Sequence, residues 1–293
     1  MKPKNLITPQ EPYLELAKEL GLPHPVFFKR EDLHPYGSHK GRSIPLMIDK
    51  KIAEGCNHFA ISSSGNAALA AGLHIQKLNE GKEEKITLEI LAGKNINPGK
   101  LKKMEDIKDK NILLSIQDRP LQALFMKTQD PSVQSLRQSN DDVALDGYEL
   151  LAKELLEIPN LKAVFIGTSS GTTAQSLAQN MSGVEIHIVQ TSSCHIMSDE
   201  FIKYEGSDEK SIADAIVDSV ANRKNALVPL IKKTGGNGWV ASNEEIKAAM
   251  EFAKKHAGLD ISPNSALSVA GLMQATYTGR TWDGPVVCMI CGD

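Results

Sequence analysis

Aromatic residues are scarce in this chain, 5% of 293 positions with only two tryptophans, and cysteine is scarcer still, with four. Four thiols cannot staple a chain of this length, which excludes a disulfide-framed secreted scaffold and favours a reducing compartment. No apolar run approaches the roughly 18 residues that a membrane-spanning helix needs. The opening string Met-Lys-Pro-Lys-Asn-Leu-Ile-Thr-Pro lacks the apolar core of a secretion signal. Charge of either sign is not in excess, since the formal net is −3, so neither nucleic acid nor a membrane surface is expected as a partner. Low-complexity tracts and internal repeats are missing too. What remains is a hydrophobic fraction of 41%, enough for a substantial core, on a length that suggests two domains. The expectation is a cytoplasmic globular protein.

Short apolar runs alternate with helix-patterned stretches. Strands are expected at 59–62, 85–92, 112–116, 162–166, 185–190 and 286–291, and helices at 67–77, 100–108, 147–156, 174–180 and 244–256. Ser242-Asn243 is a plausible cap for the last of these. Strands separated by helices imply an α/β fold: two open parallel-sheet domains, each covered on both faces. The polar stretch 129–142 reads as their boundary. That gives a smaller N-terminal domain over 41–143 and a larger one from 1–40 and 144–293. Ligands of open α/β sheets sit beyond the carboxyl ends of the strands, so the active site is expected in a cleft between the two domains.

Four places carry candidate chemistry. Lys40 follows a turn-rich segment holding Pro35 and Gly37 and opens a helix-like run. The positive end of a helix dipole disfavours an ammonium, which suits a lysine that must attack a carbonyl as the free amine. Ser62-Ser-Ser-Gly-Asn66 lies between a strand and an alanine-rich helix, where unpaired backbone N–H groups suit a carboxylate; an ordinary capped helix start explains it equally well. Gly167-Thr-Ser-Ser-Gly-Thr-Thr173 has the same context with more hydroxyls, and describes a phosphate cup. It lacks the Gly-Lys-Ser/Thr of a nucleotide P-loop and the Gly-x-Gly-x-x-Gly of a dinucleotide fold. Finally, Cys288-x-x-Cys291 invites a metal or redox reading. Residues three apart on a strand point to opposite faces and no second pair exists, so no metal is expected; Cys288 is assigned to the core and Cys291 to the strand end.

In this order, these motifs resemble the tryptophan synthase β-like superfamily of pyridoxal-phosphate enzymes, called fold type II, over nearly the whole chain. Lys29-Arg-Glu-Asp-Leu33 followed by Gly37-Ser-His-Lys40-Gly-Arg42 is similar to the segment that carries the Schiff-base lysine. The resemblance implies that Lys40 holds pyridoxal 5′-phosphate and serves as the catalytic base. It implies that Ser63, Ser64, Gly65 and Asn66 bind the substrate carboxylate, with Asn66 also at the cofactor's 3′ oxygen. Gly167, Thr168, Ser169, Ser170, Gly171 and Thr172 correspond to the cofactor phosphate loop. Cys291 falls where relatives place a Ser, Thr or Cys beside the pyridine nitrogen, and an uncharged partner there suits elimination or replacement at the substrate side chain. The family also implies a homodimer.

The strings Ser211-Ile-Ala-Asp-Ala215, Ser242-Asn-Glu-Glu245 and Gly258-Leu-Asp-Ile-Ser-Pro-Asn-Ser-Ala266 resemble the threonine synthase and dehydratase branches. Two positions depart from them. His39 resembles the residue before the lysine in tryptophan synthase β chains, whereas threonine synthases usually carry an aromatic there, and Ser262 stands where many relatives have glutamate. The expected activity is a lyase acting on a small amino acid, threonine synthase-like on O-phosphohomoserine. Serine/threonine dehydratase, tryptophan or cysteine synthase-like β-replacement, and a non-catalytic cofactor-binding partner are the alternatives. Phosphohomoserine needs a second anion site, for which Lys100, Lys102 and Lys103 are candidates. Trp239, in Gly235-Gly-Asn-Gly-Trp239, is expected in a flexible loop, as a lid or an anchor.

Overall fold

A computed structural model describes residues 7–292. It contains ten strands: β1 Gln10–Tyr13, β2 Val26–Arg30, β3 His58–Ser62, β4 Thr87–Gly93, β5 Ile112–Gln117, β6 Val133–Ser135, β7 Ala163–Gly167, β8 Glu185–Thr191, β9 Gly238–Ala241 and β10 Val286–Ile290. They form two sheets in two compact units, one of Pro35–Gly147 and one of Met1–His34 with Tyr148–Asp293.

The smaller unit holds the order β5-β4-β3-β6, all parallel. Its main core sets Phe59, Ile61, Leu88 and Ile90 against the helices Lys40–Ala53 and Asn66–Asn79, which contribute Ile44, Met47, Ile48, Ala68, Ala71 and Ile75. The other face is thinner, with Ala60 and Leu91 under Leu124 of the helix Pro120–Lys127. Alanines on the Asn66–Asn79 helix and Gly72, whose added Cβ would lie 2.5 Å from Ile107 Cδ1, let it lie close to its neighbours.

The larger unit holds the order β1-β2-β10-β7-β8-β9, parallel except for the antiparallel edge strand β1. Its central strands are buried on both faces. Phe28, Phe165 and Cys288 look toward the helices Asn243–Ala257 and Pro263–Tyr277. Val164, Ile166, Met289 and Cys291 belong to the opposite core, with the helices Glu149–Leu156, Thr172–Asn180 and Lys224–Thr234. The two cysteines therefore lie on opposite sides of the sheet and remain free thiols.

Three expectations are corrected. The stretch 129–142 is not a boundary, because β6 inside it pairs with β3. The chain leaves the smaller unit only after Gly147. Ser43 Oγ donates to Ala144 O at 2.8 Å, Lys50 pairs with Asp146, and a Cβ on Gly147 would meet Ser43 Cα at 2.4 Å. Residues 35–40, assigned from sequence to the larger domain, belong to the smaller unit, where Tyr36 bonds to His74. Trp239 is not in a flexible loop. It is 5% exposed in β9, and its indole N–H donates to His187 Nδ1 at 3.2 Å.

The charge in β2 has a local explanation. Lys29 is fully buried, with Nζ 2.5 Å from Glu154 Oε2 and 2.8 Å from Thr8 O. A buried ion needs a partner at this range.

Candidate active site

The candidate residues fall into two groups, one in each unit. In the smaller unit, Lys40 is the first residue of the helix Lys40–Ala53. Gly37, in the left-handed region at φ 75°, turns the chain just before it, with Leu69 Cδ2 4.0 Å from an added Cβ. Leu69 lies one turn after Asn66, so the turn before Lys40 lies over the start of the Asn66–Asn79 helix. Ser38 is fully buried. Its hydroxyl accepts from the Lys40 N–H at 3.3 Å and its carbonyl from Gly41 N–H at 3.0 Å, which starts the helix at the lysine. Lys40 itself is half-buried.

The 63–66 loop follows β3 directly. Gly65 N–H donates to Ser63 Oγ at 3.2 Å, and Ser64 Oγ accepts from Gly93 N–H at 2.8 Å, which ties the loop to the end of β4. A Cβ on Gly65 would meet nothing within 4 Å, and residues 63–66 are all half-exposed. The loop is thus braced by side chains while its backbone faces open space at the N-terminus of a 14-residue helix.

In the larger unit the loop 167–172 leaves the end of β7 and opens the helix Thr172–Asn180. Thr168 is buried, its N–H on Val189 O and its hydroxyl on Ile166 O, so it anchors the loop to the sheet. Ser169 Oγ accepts from the N–H groups of Val217 and Asp218, both at 3.2 Å. Ser170 and Thr172 hydroxyls pair at 3.0 Å, and Gly171 caps the helix at φ 83°. No acidic residue stands between 167 and 172. Cys291 follows β10, the neighbour of β7, and is 6% exposed.

The sequence does not show how the 167–172 loop and the strand end at Cys291 are held together within the larger unit. The N-terminus of Pro263–Tyr277 serves both. Asn264 O would lie 3.0 Å from a Cβ on Gly167, while Ser262 and Ser265 hydroxyls donate to Gly292 O at 2.8 and 3.2 Å. The Asn264 side chain accepts from Ala215 N–H and donates to Asp214, which holds the 211–218 segment whose backbone reaches Ser169. Asp214 is a partner in this bracing. The usable signal was Ser262-Pro263, a capping serine followed by proline at the first helical turn. Lys102 and Lys103 are exposed on the helix Pro98–Glu105, and Lys100 is half-exposed.

A lysine heading one helix, a half-exposed serine- and glycine-containing loop heading another, and a hydroxyl-rich, carboxylate-free loop heading a third are the candidate features of this structure. These are features of an α/β enzyme of the fold type II, pyridoxal-phosphate kind. The chain belongs to the pyridoxal-phosphate dependent enzyme family, which it matches over residues 2–292. The cofactor of this family is pyridoxal 5′-phosphate, and the donor set of the 167–172 loop fits a phosphate.

Among curated relatives, threonine synthase of Mycobacterium bovis is 24% identical over 309 aligned positions, covering 98% of this chain and 81% of that protein. The human serine dehydratase-like protein is 36% identical over 77 residues, 26% of this chain and 23% of its own length. In fold, the chain resembles a pyridoxal 5′-phosphate-dependent aspartate racemase with a TM-score of 0.81 at 19% identity, covering 98% of this chain and 90% of that one. Maize serine racemase gives 0.79 at 16% identity, over 98% and 88%. Among the described residues, no helix is long and apolar enough to cross a membrane.

Proposed function

We propose that the chain is a lyase of threonine synthase type, taking O-phosphohomoserine to threonine by elimination and replacement at the substrate side chain. The observation that carries this is extent. The resemblance to threonine synthases spans 98% of the chain, whereas the human and mouse dehydratase relatives align over 26% and 56% of it.

In this reading Lys40 holds the cofactor through its amine and, once released, moves the substrate Cα proton. Backbone donors of Ser63, Ser64 and Gly65 receive the substrate carboxylate, and Asn66 donates its amide to the cofactor's 3′ oxygen. The loop from Gly167 to Thr172 receives the cofactor phosphate. Bound there, the cofactor supplies a sink for the electron pair left at Cα. Cys291 is its partner at the ring nitrogen, and an uncharged group there holds no proton on that nitrogen, which limits the depth of the sink and favours side-chain chemistry. The substrate's own phosphate calls for a further cation, with Lys100, Lys102 and Lys103 as candidates. A cytoplasmic homodimer is part of the same proposal.

Serine/threonine dehydratase is the second reading. It is favoured by the exposed settings of Lys102 and Lys103, since that reaction needs no second anion site. The test is product analysis on purified protein that has been reduced with borohydride in one aliquot. Threonine and inorganic phosphate from O-phosphohomoserine support the first reading. Keto acid and ammonia from serine or threonine, with no phosphate release, support the second. No reduced adduct on Lys40 removes both.

A further inference from the structure

Three polar side chains in the smaller unit form a chain that the proposed reaction does not use. Tyr36 lies four residues before Lys40. Its hydroxyl is 3.0 Å from His74 Nδ1, and its ring meets the imidazole edge-on, with centroids 5.9 Å apart at 82°. His74 Nε2 is 2.8 Å from Asp49 Oδ1. The His74 side chain is only 12% exposed, while Asp49 is 54% exposed. With the imidazole singly protonated at Nε2, both contacts are satisfied: the tyrosine O–H donates to Nδ1, and Nε2–H donates to the carboxylate. Burial, with the charge of Asp49 behind it, raises the Tyr36 phenol above its ordinary value.

The positions of the three residues give the chain its meaning. Tyr36 belongs to the turn that delivers Lys40, His74 to the helix that Asn66 opens, and Asp49 to the helix that Lys40 opens. One run of two hydrogen bonds therefore ties the lysine's approach segment to the two helices of the smaller unit whose N-termini carry candidate residues. Gly37 supplies a turn with φ 75° between Tyr36 and Lys40, and such a turn transmits the placement of its flank only if that flank is fixed.

We propose that Tyr36, His74 and Asp49 act as a positioning strap that fixes Lys40 relative to the 63–66 cradle. The proposal rests on the reading of Lys40 as the cofactor-holding lysine. A side chain that must sit within about half an ångström of a productive geometry loses rate steeply when its support loosens. The strap acts through Lys40 and is not itself placed on substrate.

The experiment compares the parent protein with Tyr36→Phe, His74→Leu and His74→Gln. Glutamine is the rescue variant, because its carbonyl accepts from Tyr36 while its amide donates to Asp49. Three quantities are read: the rate at which the visible band forms when pyridoxal phosphate is added to cofactor-free protein, kcat and KM for the active substrate, and the melting temperature. Tyr36→Phe and His74→Leu are expected to slow band formation and kcat about ten-fold or more. KM is expected to stay within about two-fold, and His74→Gln within about three-fold of the parent in all three quantities. Melting temperatures that fall while band formation and kcat hold would show a purely structural role and overturn the strap. So would equal losses in the leucine and glutamine variants. A parent protein that gives no reducible adduct on Lys40 would overturn the underlying reading with it, and so is told apart from failure of the strap alone.

Discussion

The loops 63–66 and 167–172 share one plan, a parallel strand running through a short serine- and glycine-containing turn into a helix, but their surroundings differ. In the first, Gly65 faces space with nothing within 4 Å, and the turn is held by two side-chain hydrogen bonds. In the second, Gly171 sits in the left-handed region with Leu227 Cδ2 2.7 Å and Met197 3.3 Å from where a Cβ would stand, and Gly167 is wedged against Asn264 and Leu267. The second loop is a fixed cup set in a core; the first is a braced rim with room above it. Such a division suits a protein that keeps one anion and exchanges another.

The largest effect expected on this comparison comes from the open side. Lys40→Ala should lower turnover by about a thousand-fold or more, since on the proposed reading it removes both the covalent tether and the base. Because the cup is intact, pyridoxal phosphate should still bind, as read by equilibrium dialysis. Loss of binding equal to the loss of turnover would mean that the cup contributes little.

The two glycines come next. Gly171→Ala should destabilise the protein by about 1–3 kcal/mol, because alanine is strained at φ 83° and its methyl meets Leu227. A melting curve would show this as a drop of several degrees. Gly65→Ala should change stability by under about 0.5 kcal/mol, yet raise KM for the amino acid about ten-fold, because its methyl fills the space above the rim. Reversal of this pattern would break the distinction between cup and rim.

Ser64→Ala should cost about 1 kcal/mol by leaving the Gly93 N–H without its acceptor. Its effect on KM should be smaller than that of Gly65→Ala.

The smallest effect concerns how the larger unit is stiffened. His187 is fully buried, stacked on Phe165 at 4.3 Å, and its Nδ1 accepts from Asn237 and Trp239 N–H groups while Nε2 meets Glu185. Burial lowers its pKa, so it stays neutral in the fold. The unfolded chain takes up a proton there near pH 6.5. Below that pH the unfolded state binds more protons than the folded one, so stability falls as pH drops from about 6.5 and is independent of this group above it. Glu185 acts in a lower window. Burial raises its carboxyl, but hydrogen bonds from His187 and Trp282 outweigh it, and the net shift is downward. Its contribution is lost only as pH falls below the ordinary carboxylate range. Melting temperatures between pH 7.5 and 5.5 should show the His187 slope, and His187→Asn should flatten it.

Much of this was legible in the sequence, for identifiable reasons. The strand-loop-helix units around residues 66 and 172 were readable because all their signals are local: an apolar run, a glycine turn, then an alanine-rich or capped helix. The helix Asn243–Ala257 was announced by Ser242, and the structure shows the full capping box with Glu245. The strand β2 was hidden because Val-Phe-Phe-Lys-Arg carries a charge whose partner, Glu154, lies 125 residues away. The helix Lys224–Thr234 was hidden by Pro229 inside it. The strand β9 was hidden by the glycines before Trp239, whose burial depends on His187 in β8. In the candidate site, the residues offered as ligands were readable from turn chemistry. The residues that brace them, Asn264, Ser265 and Asp214, were not, because their partners lie 27 to 50 residues away along the chain.

The sheet order of the larger unit bears on how the chain is made. β2 is flanked by β1 and by β10, so residues 26–30 wait for residues 286–290 before their second edge is covered. At ribosomal rates of about 5–20 residues per second, that edge stays open for roughly 13–50 seconds of synthesis. The smaller unit has all four of its strands within Pro35–Gly147 and meets no such delay. During translation the segment before Pro35 is a strand pair without a sheet, carrying Lys29 without Glu154 until the middle of the chain emerges. The interval after Gly147 is therefore when a nascent chain of this protein is most exposed to edge-to-edge association and holds most for a chaperone to bind.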